Sequence, residues 1–135
     1  MTFSEALDLV AKGAQWAPGT QPRSYKHDPV VYYMRMDRLV KIGWSNHLKL
    51  RVASIQPQGV LAIEPGGASL EERRHMDFAA LRSHREWFWL AGPLLGHIAT
   101  LRDQLEAREG IATEAWLERL GVHQSPTYNQ RPADD

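Results

Sequence analysis

A β-hairpin is the clearest structural signal in this chain. Residues 30–45 read VVYYMRMDRLVKIGWS, and β-branched or aromatic residues dominate on both sides of Asp37-Arg38. Two such runs separated by two turn-forming residues are typical of a hairpin. The sequence therefore predicts an extended run over residues 30–36, a tight turn, and a second run over residues 39–44.

The two-residue turn also predicts which residues face each other across the hairpin. Met34 should pair with Lys41 and Tyr32 with Gly43, and a three-residue loop would break this register. Because opposed side chains share a face, Tyr32 and Lys41 lie on one side as diagonal neighbours. Gly43 leaves that side open to a backbone or a ligand. The other side carries residues typical of a core: Val31, Tyr33, Val40, Ile42 and Trp44.

The segment after the hairpin predicts a helix and a third strand. Leu48, Val52 and Ile55 recur at helical spacing, Ser45 or Asn46 is suited to cap this helix, and Pro57 ends it. The run GVLAIEP, residues 59–65, then predicts a strand before the turn residues Gly66-Gly67.

The second half of the chain predicts three more helices around a short aromatic run. Ser69 and Glu72 have capping-box spacing and open a helix that runs through Phe78 and Leu81. The run EWFWL predicts an extended segment whose rings are more typical of a core than of a base-stacking platform, and contact of one of these rings with nucleic acid stays open as the alternative. A long helix follows from Pro93, and TEAWLERL predicts a last short helix.

These elements predict an α+β fold with a small three-stranded antiparallel sheet flanked by helices, and with extra helices at both ends. Residues 1–28 would form an N-terminal helix and a Pro/Gly-rich connector, and residues 29–108 the central domain. Residues 109–123 would form a C-terminal helix. Residues 124–135 are polar and contain proline, which predicts a disordered tail.

Composition excludes several classes of protein. The 135 residues are 43% hydrophobic, which suits a single core. The absence of cysteine excludes disulfide scaffolds, thiolate zinc sites and cysteine nucleophiles. The start MTFSEALDLV carries acidic residues where a signal peptide would be basic, and no apolar run reaches membrane-spanning length. We expect a cytoplasmic protein with no membrane partner.

Positive charge is concentrated around the hairpin although the formal net charge is zero. Between Arg23 and Arg51 there are seven Lys or Arg residues and two Asp residues, which leaves a surplus of five positive charges. Such a segment can attract phosphate groups. A solvated basic face is the equal alternative on charge alone.

One carboxylate falls at an unusual place. Glu71, His75 and Phe78 follow one another at i, i+4 and i+7, and Phe78 should face inward. Glu71 therefore lies at the edge of the buried side, where a carboxylate is costly without a partner. A divalent cation is one such partner. In the preceding helix, Arg51 follows His47 by one turn and can lean back toward the sheet.

The motifs VVY and KIG, an arginine in the next helix, and the runs LEERRHMDF and REWF together resemble the GIY-YIG nuclease superfamily. The resemblance is greater to a short phage and bacterial branch in which the second motif reads KIG. It spans residues 30–90, about half of the chain. It implies a metal-dependent DNA endonuclease or nicking module that hydrolyses phosphodiester bonds. The oligomeric state is not implied.

The resemblance assigns roles to four residues. Tyr32 would be the general base or would orient the attacking water, its pKa lowered by neighbouring positive charge. Arg51 would clamp a phosphate oxygen, Glu71 would bind a single Mg²⁺ or Mn²⁺, and Lys41 stands where the superfamily has its second tyrosine. Further contacts to DNA phosphates would come from nearby basic residues: Arg35, Arg38, His47, Lys49 and His75.

Other interpretations of the same residues stay open. Tyr32 has the pattern of an ordinary cross-strand aromatic, and Lys41 that of a solvated charge at a sheet edge. Arg51 is also suited to pair with a carboxylate on a neighbouring element, and His47 and His75 are more typical of surface or helix-pairing histidines. No residue stands clearly for the asparagine that often closes the site in the superfamily. A non-catalytic nucleic-acid-binding or regulatory module is therefore the main alternative, and a purely structural protein is a third.

Overall fold

The computed structural model describes residues 26–124. Five strands, four α-helices and a short 3-10 helix follow one another in this part of the chain: β1 Val30–Met36, β2 Leu39–Ser45, α1 Leu48–Ile55, β3 Gly59–Pro65, α2 Ala68–Asp77, the 3-10 helix Ala79–Leu81, β4 Arg82–His84, β5 Trp87–Trp89, α3 Gly92–Glu109 and α4 Thr113–Arg119. The predicted N-terminal helix and residues 125–135 of the predicted tail lie outside the described residues. None of the described helices is long and apolar enough to cross a membrane.

The sheet has five antiparallel strands in the order β3-β1-β2-β5-β4, so the predicted three-stranded sheet is wrong although the α+β class is correct. The prediction treated residues 86–90 as an extended segment without a strand partner. In the structure Trp87–Trp89 pairs with Leu39–Lys41 of β2, and Arg82–His84 adds a further strand outside it. β2 is consequently a central strand over its first half.

The hairpin register is confirmed. Met34 pairs with Lys41 and Tyr32 with Gly43 along β1 and β2, as the two-residue turn predicts. Asp37 adopts a positive φ of 55° in this turn, a conformation that Asp tolerates better than most residues. On its other side β1 pairs with β3, with a register shift between Tyr33 and Met34.

Both faces of the sheet are buried over β1, which the sequence predicted for one face only. The predicted core side is confirmed, since Val31, Tyr33, Val40 and Ile42 have no exposed surface, but Trp44 is 36% exposed. The opposite side was predicted to be open, yet Tyr32 is only 2% exposed there. Leu48 of α1 and three residues from the last helix onward cover that side: Trp116, Leu117 and Leu120.

Helix α3 contributes to both cores, because Leu94 and Ile98 belong to one cluster and Leu105 to the other. It therefore runs past β3, where the Arg102 guanidinium donates a hydrogen bond of 2.8 Å to the Leu61 carbonyl. The Gln124 side chain makes two further hydrogen bonds to the Val60 backbone, at 2.7 and 3.1 Å. These contacts satisfy backbone groups at the start of β3, an edge strand that would otherwise offer them to another strand.

The predicted helix ends differ from those observed. His47 caps α1 in place of Ser45 or Asn46, and α2 begins after Gly67 with no side-chain cap, so the Ser69–Glu72 capping box does not form. Helix α2 ends at Asp77, and the chain tightens into the 3-10 helix before β4. Pro93 lies in the first turn of α3, as predicted.

Candidate active site

Tyr32 reaches across the hairpin to lie over Gly43. A Cβ atom at position 43 would be 2.3 Å from the Tyr32 hydroxyl and 2.5 Å from Cζ, so only glycine admits this ring position. The open space that the sequence predicted beside Gly43 is therefore occupied by the tyrosine itself. The absence of a side chain at Gly43 thus lets the phenol lie over β2.

The electrostatic surroundings of Tyr32 differ from the prediction. Burial raises the pKa of Tyr32 to about 12, and the positive charge of Arg51 opposes this rise without reversing it. The negative charges of Glu86 and Glu71 raise the pKa further. The phenol is therefore neutral near pH 7, and the three charged groups lie close enough to act on it.

Arg51 lines a surface pocket of about 280 Å³ at the start of α1. The other residues of this pocket are small, polar or apolar: Ser45, Asn46, His47, Leu50 and Ser54. Arg51 itself is exposed, so its guanidinium can reach a bound anion.

Two histidines hold the start of α1 in place. The His47 side chain accepts a hydrogen bond of 3.3 Å from the Leu50 N–H, and His27 accepts one of 3.0 Å at Nε2 from the Leu48 N–H. The other ring nitrogen of His27 donates to the Asp28 carbonyl at 2.7 Å, which is the neutral tautomer. Burial accordingly lowers the pKa of His27. Sequence reasoning missed His27, because its partner Leu48 lies on another element.

Glu71 lies beside the second half of β2, beyond Lys41, where β2 is no longer paired with β5. Its side chain is 18% exposed, which confirms the predicted position at the border of the buried side. Burial raises the pKa of Glu71, and the charge of Glu86 adds to the rise. His75, a hydrogen bond from the Trp44 backbone, and Lys41 act in the opposite direction. Glu71 is thus a carboxylate held near a second carboxylate.

His75 fastens α2 to this edge of the sheet. Its Nε2–H donates a hydrogen bond of 2.7 Å to the Ile42 carbonyl. Glu71 Oε1 lies 3.9 Å from the same Nε2. The imidazole also packs on Phe88, with ring centroids 5.1 Å apart. A ring held in this way, with a side chain 13% exposed, positions Glu71 rather than reaching a phosphate of its own.

Lys41 and Glu86 form an ion pair on the side of the sheet that carries Tyr32. Lys41 Nζ is 3.5 Å from Glu86 Oε2, and the Glu86 backbone carbonyl accepts a hydrogen bond of 3.0 Å from the Ile42 N–H. Sequence reasoning did not single out Glu86. Its position depends on the pairing of β5 with β2, which the sequence did not predict.

The structure brings together the four residues to which catalytic roles were assigned. Tyr32, Arg51, Glu71 and Lys41 are linked by the electrostatic interactions described above, and Glu86 joins them. Within residues 26–124, no group of three or more His, Cys, Asp or Glu side chains converges on one point to hold a metal ion.

Three basic residues predicted to bind nucleic acid lie elsewhere. Arg35 and Arg38 belong to the turn end of the hairpin, where the Arg35 Nε donates to the Asp37 carbonyl at 2.9 Å. The stem of Lys49 packs against Gly121, since a Cβ atom there would be 2.8 Å from Lys49 Cδ. These three side chains are therefore not part of the cluster around Tyr32.

A buried polar network on the opposite face fastens α2 and α3 to the sheet. Glu64 of β3 is 6% exposed and accepts hydrogen bonds from Tyr33 at 2.5 Å and from Arg74 at 2.7 Å. His97 Nε2 lies 3.3 Å from the same carboxylate, and Arg74 also pairs with Asp77 at 3.0 Å. Because Arg74 is one turn from Glu71 on α2, this network helps to fix the position of Glu71.

The hydrogen bonds to Glu64 outweigh its burial. Burial alone would raise the pKa of this carboxyl, but hydrogen bonds from His97, Arg74 and Tyr33 together with the Arg74 charge lower it to about 2. Burial and Glu64 both raise the pKa of Tyr33. A glutamate within the apolar run GVLAIEP was the sequence signal for this network, but its partners lie on two later helices.

No family model matches this sequence, and neither a curated protein nor a solved structure matches it.

Proposed function

We propose that this protein is a metal-dependent DNA endonuclease or nicking module related to the GIY-YIG nucleases. The observation that carries the proposal is the convergence of Arg51, Glu71 and Tyr32 near the second half of β2, which β5 does not pair with. These three residues come from α1, α2 and β1, which are separate in sequence. They are also the residues that the motif resemblance assigns to phosphodiester hydrolysis.

The charges around Glu71 fit a single divalent cation. Its pKa is raised by burial and by Glu86, so that a cation beside it would relieve the repulsion between two carboxylates. Mg²⁺ is commonly held by one or two carboxylates, by water and by substrate phosphate, and it does not need an all-protein cage. When bound there, such a cation would polarise the scissile phosphate and stabilise the leaving oxygen.

Arg51 and Lys41 would bind the substrate in this proposal. The exposed guanidinium of Arg51 would hold a non-bridging phosphate oxygen at the mouth of the pocket at α1. Lys41 would exchange its partner Glu86 for a phosphate when DNA is present. Both contacts place positive charge where the transition state gathers negative charge.

Tyr32 would orient the attacking water rather than remove its proton. A phenol with a pKa of about 12 is a poor base near pH 7 but a good hydrogen-bond donor. The contact with Gly43 fixes the ring, so the hydroxyl is held at one position. This supports the water-orienting alternative of the two roles that the sequence left open.

The second candidate is a module that binds nucleic acid without cutting it. It is favoured by the burial of Tyr32, which is only 2% exposed and leaves little of the ring within reach of a substrate. In such a protein, Arg51 and Lys41 would bind phosphate, and Glu71 would only hold α2 on the β2 edge through the Trp44 backbone.

Nicking of supercoiled plasmid tests the two candidates against each other. The full chain is incubated with plasmid and Mg²⁺, Mn²⁺ or EDTA, beside Glu71→Gln and the control Glu72→Gln. Glu72 is the exposed neighbour of Glu71 on the same helix. The nuclease proposal expects metal-dependent nicking that Glu71→Gln abolishes and Glu72→Gln preserves. Retention of DNA with no nicking under any metal would select the binding module.

A further inference from the structure

One face of the β2–β5–β4 region exposes aromatic side chains. Leu39 pairs with Trp89 and Lys41 with Trp87, so these four side chains share the side of the sheet that carries Tyr32. Trp89 is 48% exposed, and Trp87 is half-buried. Phe88 points the other way into the core. The expectation that the whole EWFWL run packs in the core is therefore wrong for Trp89.

His84 extends this row of rings onto β4. Its imidazole lies nearly parallel to the Trp87 indole, with an interplanar angle of 20° and ring centroids 6.5 Å apart. His84 also pairs with Trp87 across the two strands. Trp89, Trp87 and His84 thus form an aromatic strip, the name used below for these three residues.

Basic residues border the aromatic strip. Arg38 is exposed at the hairpin turn, next to the end of β5, where its carbonyl accepts a hydrogen bond of 2.8 Å from Leu90. Arg85 is exposed in the turn between β4 and β5, and Lys41 lies on the strip side of β2. Glu86, one of the two carboxylates near Lys41, is paired with it.

The strip leads into the candidate active site. Lys41 is opposite Trp87 on one side, and two residues further along β2 is Gly43, over which the Tyr32 hydroxyl lies. Alternate residues of a strand are about 7 Å apart, which is close to the spacing of successive nucleotides in an extended strand. A single-stranded nucleic acid that crosses Trp89 and then Trp87 would therefore run alongside Lys41, and its next nucleotide would lie level with Gly43 and the Tyr32 hydroxyl.

We infer that the aromatic strip binds unpaired bases, so that the substrate of the proposed nuclease includes a single-stranded segment. Exposed indole rings stack on base faces, which a duplex hides within its own stack. The bordering cations match the charge of the backbone. This inference rests on the proposed function for its placement next to the cleavage chemistry, but the binding it describes does not require cleavage.

Binding is measured in EDTA, by fluorescence anisotropy of a labelled single-stranded oligonucleotide and of a duplex of the same length, with the full chain. Trp89→Ala should weaken single-strand affinity about tenfold, which corresponds to the loss of one stacked base. Trp89→Phe should recover part of that affinity. Duplex affinity should change less than twofold. Leu95→Ala is the matched control, because it truncates another exposed apolar side chain, on α3.

The readouts separate this inference from the proposed function. A tenfold loss with Trp89→Ala in a protein that never nicks plasmid supports the strip and removes the nuclease. Normal nicking with unchanged single-strand affinity in Trp89→Ala overturns the strip and keeps the nuclease. Circular dichroism verifies that the variant is folded. Sedimentation tests whether two copies associate through this face, and a dimer that Trp89→Ala dissociates without any change in oligonucleotide affinity also overturns the inference.

Discussion

The Tyr32 hydroxyl stands directly above Gly43, at a place where a Cβ atom would be 2.3 Å away. The ring is 2% exposed and packs with Leu48 and Trp116, so it has little freedom to move aside. The pairing of these two residues was predicted from the hairpin turn. The role of Gly43 in this pair differs from the predicted one, because Gly43 makes room for the tyrosine and not for a ligand.

Gly43→Ala should therefore destabilise the fold. Forcing a methyl group against a buried ring costs roughly 1–3 kcal/mol, measured as a change in the free energy of unfolding in urea. The control is Gly96→Ala on α3, where nothing lies within 4 Å of the added Cβ. That change should be stabilising by about 0.5–1 kcal/mol, because alanine is the better helix former. Equal effects of the two substitutions would contradict the ring position.

Tyr32→Phe should slow single-turnover cleavage by roughly 10² to 10⁴ while leaving DNA affinity unchanged, since it removes only the hydroxyl. Because the pKa of Tyr32 is about 12, the phenol stays neutral across the working range, and both proteins should show the same pH–rate profile. A wild-type rate that climbs tenfold per pH unit, beside a flat profile for Tyr32→Phe, would restore the general-base role.

Glu71→Gln should weaken Mn²⁺ binding in calorimetry without loss of stability. The folded-state pKa of Glu71 is raised, so the folded protein holds its proton more tightly than the unfolded chain does. The protonated form contributes stability below the unfolded pKa of about 4.5, and that stability is lost as pH rises through the higher folded pKa. The neutral glutamine should thus give an equal or slightly higher Tm at pH 7. A clear drop in Tm would mean that the carboxylate is structural.

Glu64 should dominate the acid sensitivity of the fold. Its folded pKa of about 2 lies below the unfolded value of 4.5, so the stability it contributes is present above pH 4.5 and is lost as pH falls toward 2. A shift of this size corresponds to about 3 kcal/mol for a side chain that is 7% exposed. Glu64→Gln should be destabilised at pH 7 by a similar amount, and its stability should fall less between pH 5 and about pH 3. Acid titrations of both proteins, followed by circular dichroism, measure this. Equal losses of stability in the two proteins as pH falls would contradict the prediction.

Local pattern was sufficient for the hairpin and for the border position of Glu71. A two-residue turn and the alternation of side chains determine the partners of Tyr32 and Lys41, and helical spacing relates Glu71 to Phe78. Such relations involve only residues that lie within about a dozen positions of one another, so they can be inferred from a single sequence.

Contacts between distant segments were not predictable in the same way. The pairing of Trp87 with Lys41 joins segments separated by more than forty residues, and it decided both the number of strands and the position of Glu86. The burial of Tyr32 depends on Trp116, near the far end of the described chain. The raised pKa of Tyr32 follows from that burial. No residue near Tyr32 in the sequence indicates this burial, so the sequence predicted a lowered pKa instead.

Arg51 and Lys41 provide a test of binding that is independent of cleavage. If each contacts one phosphate, Arg51→Met and Lys41→Met should both weaken DNA binding, and each should reduce the slope of log affinity against log salt by about one contact. Arg51 should have the larger effect, because its guanidinium is exposed, whereas Lys41 must first leave Glu86 at 3.5 Å. Glu86→Gln should then strengthen binding, since it frees Lys41 and removes a negative charge beside the phosphate.

Filter binding at several salt concentrations, with Arg108→Met on the last turn of α3 as a control for general loss of positive charge, measures all four. A salt slope that stays the same in Arg51→Met, or that falls equally in Arg108→Met, would show that DNA does not use the site around Tyr32.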